Sequence, residues 1–308
     1  MVLIRDIDEL TRRLGPGAAV DAPLGSRTTY RVGGSAAVAT EAADEVALVA
    51  VARSLDGLDI PVLVLGNGSN MLVADIGFRG LVVTLGAGFD ELSIAGTDVR
   101  VGATVALPTL ARRTAAAGLQ GLEWAVGVPG SVGGAVRMNA GGHGSDTAAT
   151  LVRYRTVDLE TAAVVESPAS RLGASYRSTT VSSTEVVVGA THRLELGDPV
   201  ASKEVIDEIV RWRRANQPGG ANAGSVFTNP PDDSAGRLID VCGLKGLRIG
   251  SAEVSTKHAN FIQADRGGSA DDVRRVIDRV RSVVSEVTGI ELATEVRMVG
   301  FDEGEPAP

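Results

Sequence analysis

An α+β chain of three lobes is what this sequence predicts, on three observations. A helical stretch, an apolar strand and a glycine loop follow one another over the first quarter. Short strands separated by glycine come next, and a long amphipathic helix dominates the last third. At 308 residues the chain is too long for one ordinary core, so several packed lobes able to bury a ligand are expected.

In chain order, residues 6–14 read as a short helix with acids at its start, ended by Gly15-Pro16-Gly17, and a loop runs from Leu24 to Gly34. From Glu41 to Leu55 a second helix is predicted, with Val46, Val49 and Ala50 on its inner face. Pro61–Leu65 reads as a buried strand. From about residue 81, Val99, Val101, Ala103 and Val105 alternate as a half-buried strand, followed by a helix with Pro108 in its first turn and Gly118 at its end. Val186, Val188, Ala190, His192, Leu194 and Leu196 fall on one face of a long strand, which makes His192 a packed structural histidine. An Arg-rich helix follows from Ser202 to Asn216. In 271–287, Val273, Val276, Ile277, Val280, Val283, Val284 and Val287 repeat at helical spacing, with Ser269 and Asp272 forming a capping start. The tail from Asp302 to Pro308 reads as frayed.

Composition narrows the function classes. Hydrophobic residues at 44% and charged residues at 22% are ordinary globular values. Only 3% of residues are aromatic and the net charge is -8, which disfavours a nucleic-acid partner. Any phosphate binding must be local. The first ten residues mix acids and bases into the apolar run, so neither a signal peptide nor a membrane span is expected there, and the cytoplasm is the expected location. Cys242 is the only cysteine; it excludes an intrachain disulfide, gives no metal site, and reads as a small buried side chain.

Two glycine loops carry the chemistry. Leu65-Gly66-Asn67-Gly68-Ser69-Asn70 follows an apolar strand, and glycines there let the backbone turn tightly and aim N–H groups at an anion. It lacks the third glycine and acidic clamp of a dinucleotide fingerprint, and by itself it is equally a plain tight turn. The second loop runs from Gly127 through Pro129, Gly130, Ser131, Gly133 and Gly134 to Asn139, Gly141 and Gly142. Two such loops suit one extended diphosphate cofactor held along its length.

Thr29-Tyr30-Arg31-Val32-Gly33-Gly34, the Gly66–Asn70 loop and Pro129–Gly134 continuing to Asn139-Ala140-Gly141 resemble the FAD-binding signature of UDP-N-acetylenolpyruvoylglucosamine reductases. Tyr176-Arg177-Ser178, Ala223–Pro230, Val254–Phe261 and Glu295-Val296-Arg297 resemble the family's remaining blocks in the same order, so the resemblance covers roughly residues 22–300. It implies a two-lobed FAD-binding domain of the vanillyl-alcohol-oxidase/PCMH type with a C-terminal α/β substrate domain. The lobes would be residues 1–80, residues 81–200 joined by a last strand near 294–301, and a substrate domain over 201–293. FAD would lie between the first two, bound non-covalently, with Gly66–Asn70, Gly127, Pro129, Gly130, Ser131, Gly133, Gly134 and Asn139 as its contacts.

The implied reaction reduces the enolpyruvyl ether of UDP-N-acetylglucosamine to UDP-N-acetylmuramate for peptidoglycan synthesis. NADPH is the hydride donor, and the hydride reaches the terminal vinyl carbon by way of the flavin. Negative charge then grows on the adjacent carbon and carboxylate, so the site needs a cation and one proton. By the resemblance, Arg177 holds the carboxylate, Glu295 stabilises or protonates the enol, and Ser225 donates the final proton to carbon. Arg213, Asn229, His258 and Arg297 are linked to the sugar nucleotide. His143 stands where many relatives have tyrosine. The stretch from Tyr176 to Gly197 leaves no room for the tyrosine-bearing loop of one subtype, which places the chain with the shorter subtype. A monomer is expected. The rival readings are another flavin oxidoreductase on the same architecture and a non-catalytic nucleotide-binding paralogue.

Overall fold

The computed structural model describes residues 4–301, so the tail from Asp302 to Pro308 lies outside the described residues. The chain divides into two compact units made of interleaved segments. Residues 4–20, Val38–Gly66 and Gly80–Arg213 form the first; Asp21–Ala37, Asn67–Arg79 and residues 214–301 form the second.

In the first unit, α1 (Ile4–Leu14) carries Asp6 in its first turn and Arg12 and Arg13 in its last, matching the helix dipole. Helix α2 (Glu45–Ser54) starts after Asp44, whose Oδ1 accepts the Ala47 N–H at 2.8 Å. This corrects the expected helix from Glu41. Glu41 and Ala42 complete the strand Ser35–Ala42, and the cap at Asp44 rotates Leu48, Val51 and Ala52 inward, leaving Val46 79% exposed. The strands Ala18–Pro23, Ser35–Ala42, Phe78–Leu85 and Val62–Val64 follow one another in a four-stranded sheet, the last pair parallel.

A five-stranded antiparallel sheet has the order Val164–Pro168, Leu151–Asp158, Glu185–Arg193, Asp98–Gly102, Leu92–Ala95. Around it stand α3 (Leu107–Ala116), with Pro108 in its first turn, the short α4 (Val132–Met138) and α5 (Pro199–Asn216). The strand Glu185–Arg193 is buried on both faces rather than one. Val186 and Val188 join one apolar cluster while Val187 and Ala190 join another, because α4 covers the second face. The strand ends at Arg193; Leu196 instead pairs with Leu119 and is 77% exposed.

In the second unit, α6 (Ala235–Val241) and α7 (Ala270–Thr288) pack with a three-stranded sheet of Arg248–Ile249, Ala252–Val254 and Ile262–Ala264. Val273, Val276, Ile277, Val280 and Val284 of α7 are buried as the periodicity predicts, whereas Val287 is exposed at its last turn. Ser269 caps α7 by accepting the Asp272 N–H at 3.2 Å. Asp75 adds a cap that sequence reading missed: its carboxylate accepts the N–H groups of Ala270 at 3.0 Å and Asp271 at 3.2 Å. That ties the loop after the strand Met71–Val73 to α7. The same strand runs parallel to Arg297–Val299 and so receives the end of the chain. Gly33 makes this packing possible, since a Cβ there would lie 2.1 Å from the Val73 carbonyl oxygen. Cys242 is half-buried beside this core.

His192 is 2% exposed, with Nδ1 2.9 Å from the Thr150 hydroxyl, and burial lowers its pKa from 6.5 to about 4. A depressed histidine pKa contributes stability that is complete above the unfolded value and is lost as pH falls through the folded one. At ~1.4 kcal/mol per unit, the neutral ring accounts for about 3 kcal/mol between pH 6.5 and 4. Urea denaturation followed over this range should show His192→Asn losing less stability than the parent by about this amount; parallel losses would contradict burial as the cause.

Candidate active site

In the first unit the second glycine loop turns into α4. Leu107 N–H donates to Gly130 O at 3.0 Å, Val132 N–H to Val105 O at 3.0 Å, and Gly133 N–H to Ala103 O at 2.9 Å, so the backbone on both sides of Ser131 is fixed. The two adjacent glycines do different work. A Cβ at Gly133 would lie 2.9 Å from Ala103 Cβ and 3.1 Å from Val187 O, so this glycine lets the helix pack. A Cβ at Gly134 would meet only Ser131 Oγ, at 3.8 Å, and one at Gly66 would lie 2.9 Å from the same hydroxyl. The Ser131 hydroxyl makes no capping bond to α4. Gly66 and Gly134 therefore leave a surface without side chains around one hydroxyl, and that surface fits the diphosphate of an FAD, which needs close backbone approach.

Gly127 faces the ring of His143, since a Cβ there would lie 3.2 Å from its Cδ2 and Nε2; the Val128 N–H donates to Ala125 O at 3.1 Å, and Pro129 is exposed. His143 has φ +52° and stands edge-on to Trp212 with centroids 5.2 Å apart. Burial, then the charge of Arg213, lowers the His143 pKa, and burial lowers that of Arg213. Asn139 ends α4 in the left-handed region and is 3% exposed. Its amide nitrogen donates to Asp146 Oδ2 and Ser175 O, both at 3.0 Å, and its oxygen accepts the Ala148 N–H at 3.0 Å. Both amide hydrogens are thus used in shaping the loop. Arg177, at φ +56°, donates from Nη2 to Gly141 O at 2.8 Å, and its guanidinium lies 5.0 Å from the Tyr176 ring centroid. Arg177, Tyr176, Asn139, Asp146 and Gly142 line an open cavity of about 280 Å³.

In the second unit, Gly68 packs against residues 27–29: Thr29 N–H donates to Gly68 O at 3.0 Å, and a Cβ on Gly68 would lie 2.7 Å from Arg27 O. Asn67 is exposed and Ser69 half-buried. Asn70 is drawn to the end of the chain, with its amide nitrogen 3.1 Å from Glu295 O and its carbonyl accepting the Arg297 N–H at 3.0 Å. The segment carrying Ser225 meets the one carrying Glu295: Glu295 N–H donates to Val226 O at 2.8 Å, Thr228 N–H to Ala293 O at 3.0 Å, and Phe227 bridges Thr294. Ser225 and Glu295 are both half-buried, and Arg297 is exposed.

Asn229 accepts the Ala235 N–H at 3.1 Å and so holds the start of α6. His258 stands edge-on to Phe261 at 4.8 Å; burial, then Lys245, lowers its pKa. Its Nδ1 accepts the Asn260 N–H at 3.3 Å, which leaves the ring proton on Nε2. His258 is thus a neutral donor near pH 7. The sequence reading passed over Asn260 although it stands in the same block as His258. Its buried amide grips the backbone of Phe227, with Oδ1 2.9 Å from the N–H and Nδ2 2.8 Å from the carbonyl oxygen.

Two family models match successive parts of the chain. The family model described as "FAD binding domain" matches residues 35–167. The one described as "UDP-N-acetylenolpyruvoylglucosamine reductase, C-terminal domain" matches residues 216–299. A UDP-N-acetylenolpyruvoylglucosamine reductase of Rubrobacter xylanophilus is 41% identical over 95% of this chain and 99% of its own length. The enzyme of that name from Bacillus subtilis is 37% identical over 96% and 98%. The crystal structure of UDP-N-acetylenolpyruvylglucosamine reductase from Thermus caldophilus matches with a TM-score of 0.80 and 34% identity, covering 92% of this chain and 98% of that one. Similarity at this level along almost the whole length shows that the chain belongs to the UDP-N-acetylenolpyruvoylglucosamine reductase family.

Proposed function

We propose that this chain is an FAD enzyme that reduces UDP-N-acetylglucosamine enolpyruvate to UDP-N-acetylmuramate with NADPH, as a cytoplasmic step of peptidoglycan precursor synthesis. We place it with the shorter subtype of its family, as a monomer holding its flavin non-covalently. One observation carries the reading. Ser225 and Glu295, far apart in sequence, sit on backbone segments joined by the 2.8 Å bond from Glu295 N–H to Val226 O.

A bound flavin would supply the two-electron redox chemistry that links NADPH to the terminal vinyl carbon of the substrate. Ser131, with Gly66 and Gly134 beside it, receives the diphosphate. Asn67, Gly68, Ser69 and Asn70 are assigned to the same cofactor on their sequence, as are Gly127, Pro129, Gly130, Gly133 and Asn139. Arg177 meets the substrate carboxylate as charge grows on it. The bond from its Nη2 to Gly141 O orients the planar guanidinium, which suits a carboxylate better than a point charge would. Glu295 stabilises the enol, and the Ser225 hydroxyl gives a proton to the carbon next to the carboxylate, to be replaced from solvent. One hydride and one proton are added and NADPH leaves as NADP⁺, so the reaction balances. Arg213, Asn229, His258 and Arg297 bind the sugar nucleotide, His258 as a neutral donor.

Three outcomes test this. In the anaerobic enzyme, NADPH should bleach the flavin and the enolpyruvyl substrate should restore its colour. Ser225→Ala should spare the bleaching and slow the recovery by about 100-fold or more; equal loss in both halves would contradict the proton-donor role. Gly133→Ala should lower the free energy of unfolding even without flavin, by about 1–3 kcal/mol of overpacking, while Gly134→Ala should leave it unchanged and weaken flavin binding about tenfold. Flavin titrations in which both variants behave alike would remove the distinction between them. Finally, His258→Gln, which keeps an uncharged donor, should hold the substrate KM near pH 7.5 to within about threefold, whereas His258→Leu should raise it about tenfold. A comparable rise in both would mean that a histidine charge is required.

A further inference from the structure

Ser225 presents a paradox of mobility. A hydroxyl that protonates a carbon must be held to within about 0.5 Å of its productive position, yet Ser225 makes no hydrogen bond within the protein among the described residues. It follows Gly224, whose φ of +78° lies in the left-handed region and whose absent Cβ would meet nothing within 4 Å. Such a position is intrinsically loose, since glycine surrenders the most backbone freedom on folding.

The bonds lie on its neighbours instead. On one side, Gly224 N–H donates to Asn222 Oδ1 at 3.0 Å. On the other, Val226 N–H donates to Asn260 O at 2.9 Å and Val226 O accepts the Glu295 N–H. Both backbone polar groups of Phe227 are held by the Asn260 side chain: Oδ1 accepts the Phe227 N–H and Nδ2 donates to the Phe227 carbonyl. An asparagine amide paired in this way imitates a neighbouring β-strand, and here it is 4% exposed, where such bonds compete least with water. Asn260 also contributes its own carbonyl, so one residue supplies three bonds to the two residues after Ser225.

We propose that Asn260 is a positioning residue for the Ser225 hydroxyl, its side chain and carbonyl fixing the Val226-Phe227 backbone so that the serine stays uncommitted and aimed at the substrate. Asn222 fixes the preceding peptide. The inference rests on Ser225 as proton donor and adds the device by which a poor acid on a glycine turn is held in place.

The test uses the flavin-loaded full chain. In Asn260→Ala, recovery of flavin colour by the enolpyruvyl substrate should slow by about 100-fold, the penalty of displacing a reacting group by about an ångström. Bleaching by NADPH should stay within about twofold. Combined with Ser225→Ala, the substitution should add less than about threefold, because a positioning residue has nothing left to position. Amide exchange should quicken over residues 224–228 and stay unchanged over α7. A second variant, Asn260→Asp, keeps the shape but cannot donate to the Phe227 carbonyl while ionised. Its recovery rate should rise as pH falls and the carboxyl gains a proton, a dependence absent from the parent. Equal slowing of both half-reactions, effects that multiply with Ser225→Ala, or a pH profile of Asn260→Asp parallel to the parent would overturn the proposal. Loss of colour recovery in the unaltered enzyme would instead bring down the substrate reading itself, and this inference with it.

Discussion

The Val226 peptide carries the bonds on which the second unit depends. Its N–H donates to Asn260 and its carbonyl accepts the Glu295 N–H, while Val296 N–H reaches the same oxygen at 3.3 Å. Buried backbone groups must be paired, and each such bond contributes about 1 kcal/mol net but costs more when left unmade. These bonds fix where the chain end returns, and the return strand Arg297–Val299 then aligns with Met71–Val73. From that pairing follow the contact of Asn70 with Glu295 and the cap that Asp75 places on α7. In the proposed mechanism chemistry and architecture share these hydrogen bonds, so the residues that flank Ser225 cannot be exchanged for the sake of one without disturbing the other.

In the first unit the governing constraint is steric rather than polar. A run of small residues from Gly130 to Ala135 looks uniform, yet Gly133 is demanded by Ala103 and Val187 behind it, while Gly134 faces the open side. The protein carries a net charge of -8, so an anionic cofactor gains nothing from its overall field and must be met by local dipoles and hydroxyls. Ser131 meets that requirement: its backbone is set by bonds to Val105 and Ala103 through the next two residues, and its hydroxyl is not used as a helix cap.

Much of this was legible in the sequence where a periodic signal and a local rule agreed. Helix α7 was readable because five buried positions repeat at helical spacing and Ser269 stops the pattern at its start. Helix α2 was misread because Ala and Val are too uniform there to mark a face, and the register was set by the Asp44 cap instead. The strand at Glu185 was read as one-sided because alternation shows only one face, whereas α4 covers the other with small residues. The residues around the proposed site were recognisable as motifs, but motifs do not say who holds whom. Asp75 and Asn260 act through backbone partners distant in sequence, Asn222 through the Gly224 N–H two residues on, and Asn139 spends its amide within the protein. None of these leaves a pattern in composition or spacing.

The measurement that tests the account most directly is the stoichiometry of turnover without oxygen. The purified flavoprotein, given NADPH and UDP-N-acetylglucosamine enolpyruvate, should oxidise one NADPH for each UDP-N-acetylmuramate formed, with the product two hydrogens heavier than the substrate by mass spectrometry. NADPH oxidation without that product, or a flavin that the enolpyruvyl ether cannot reoxidise, would contradict it.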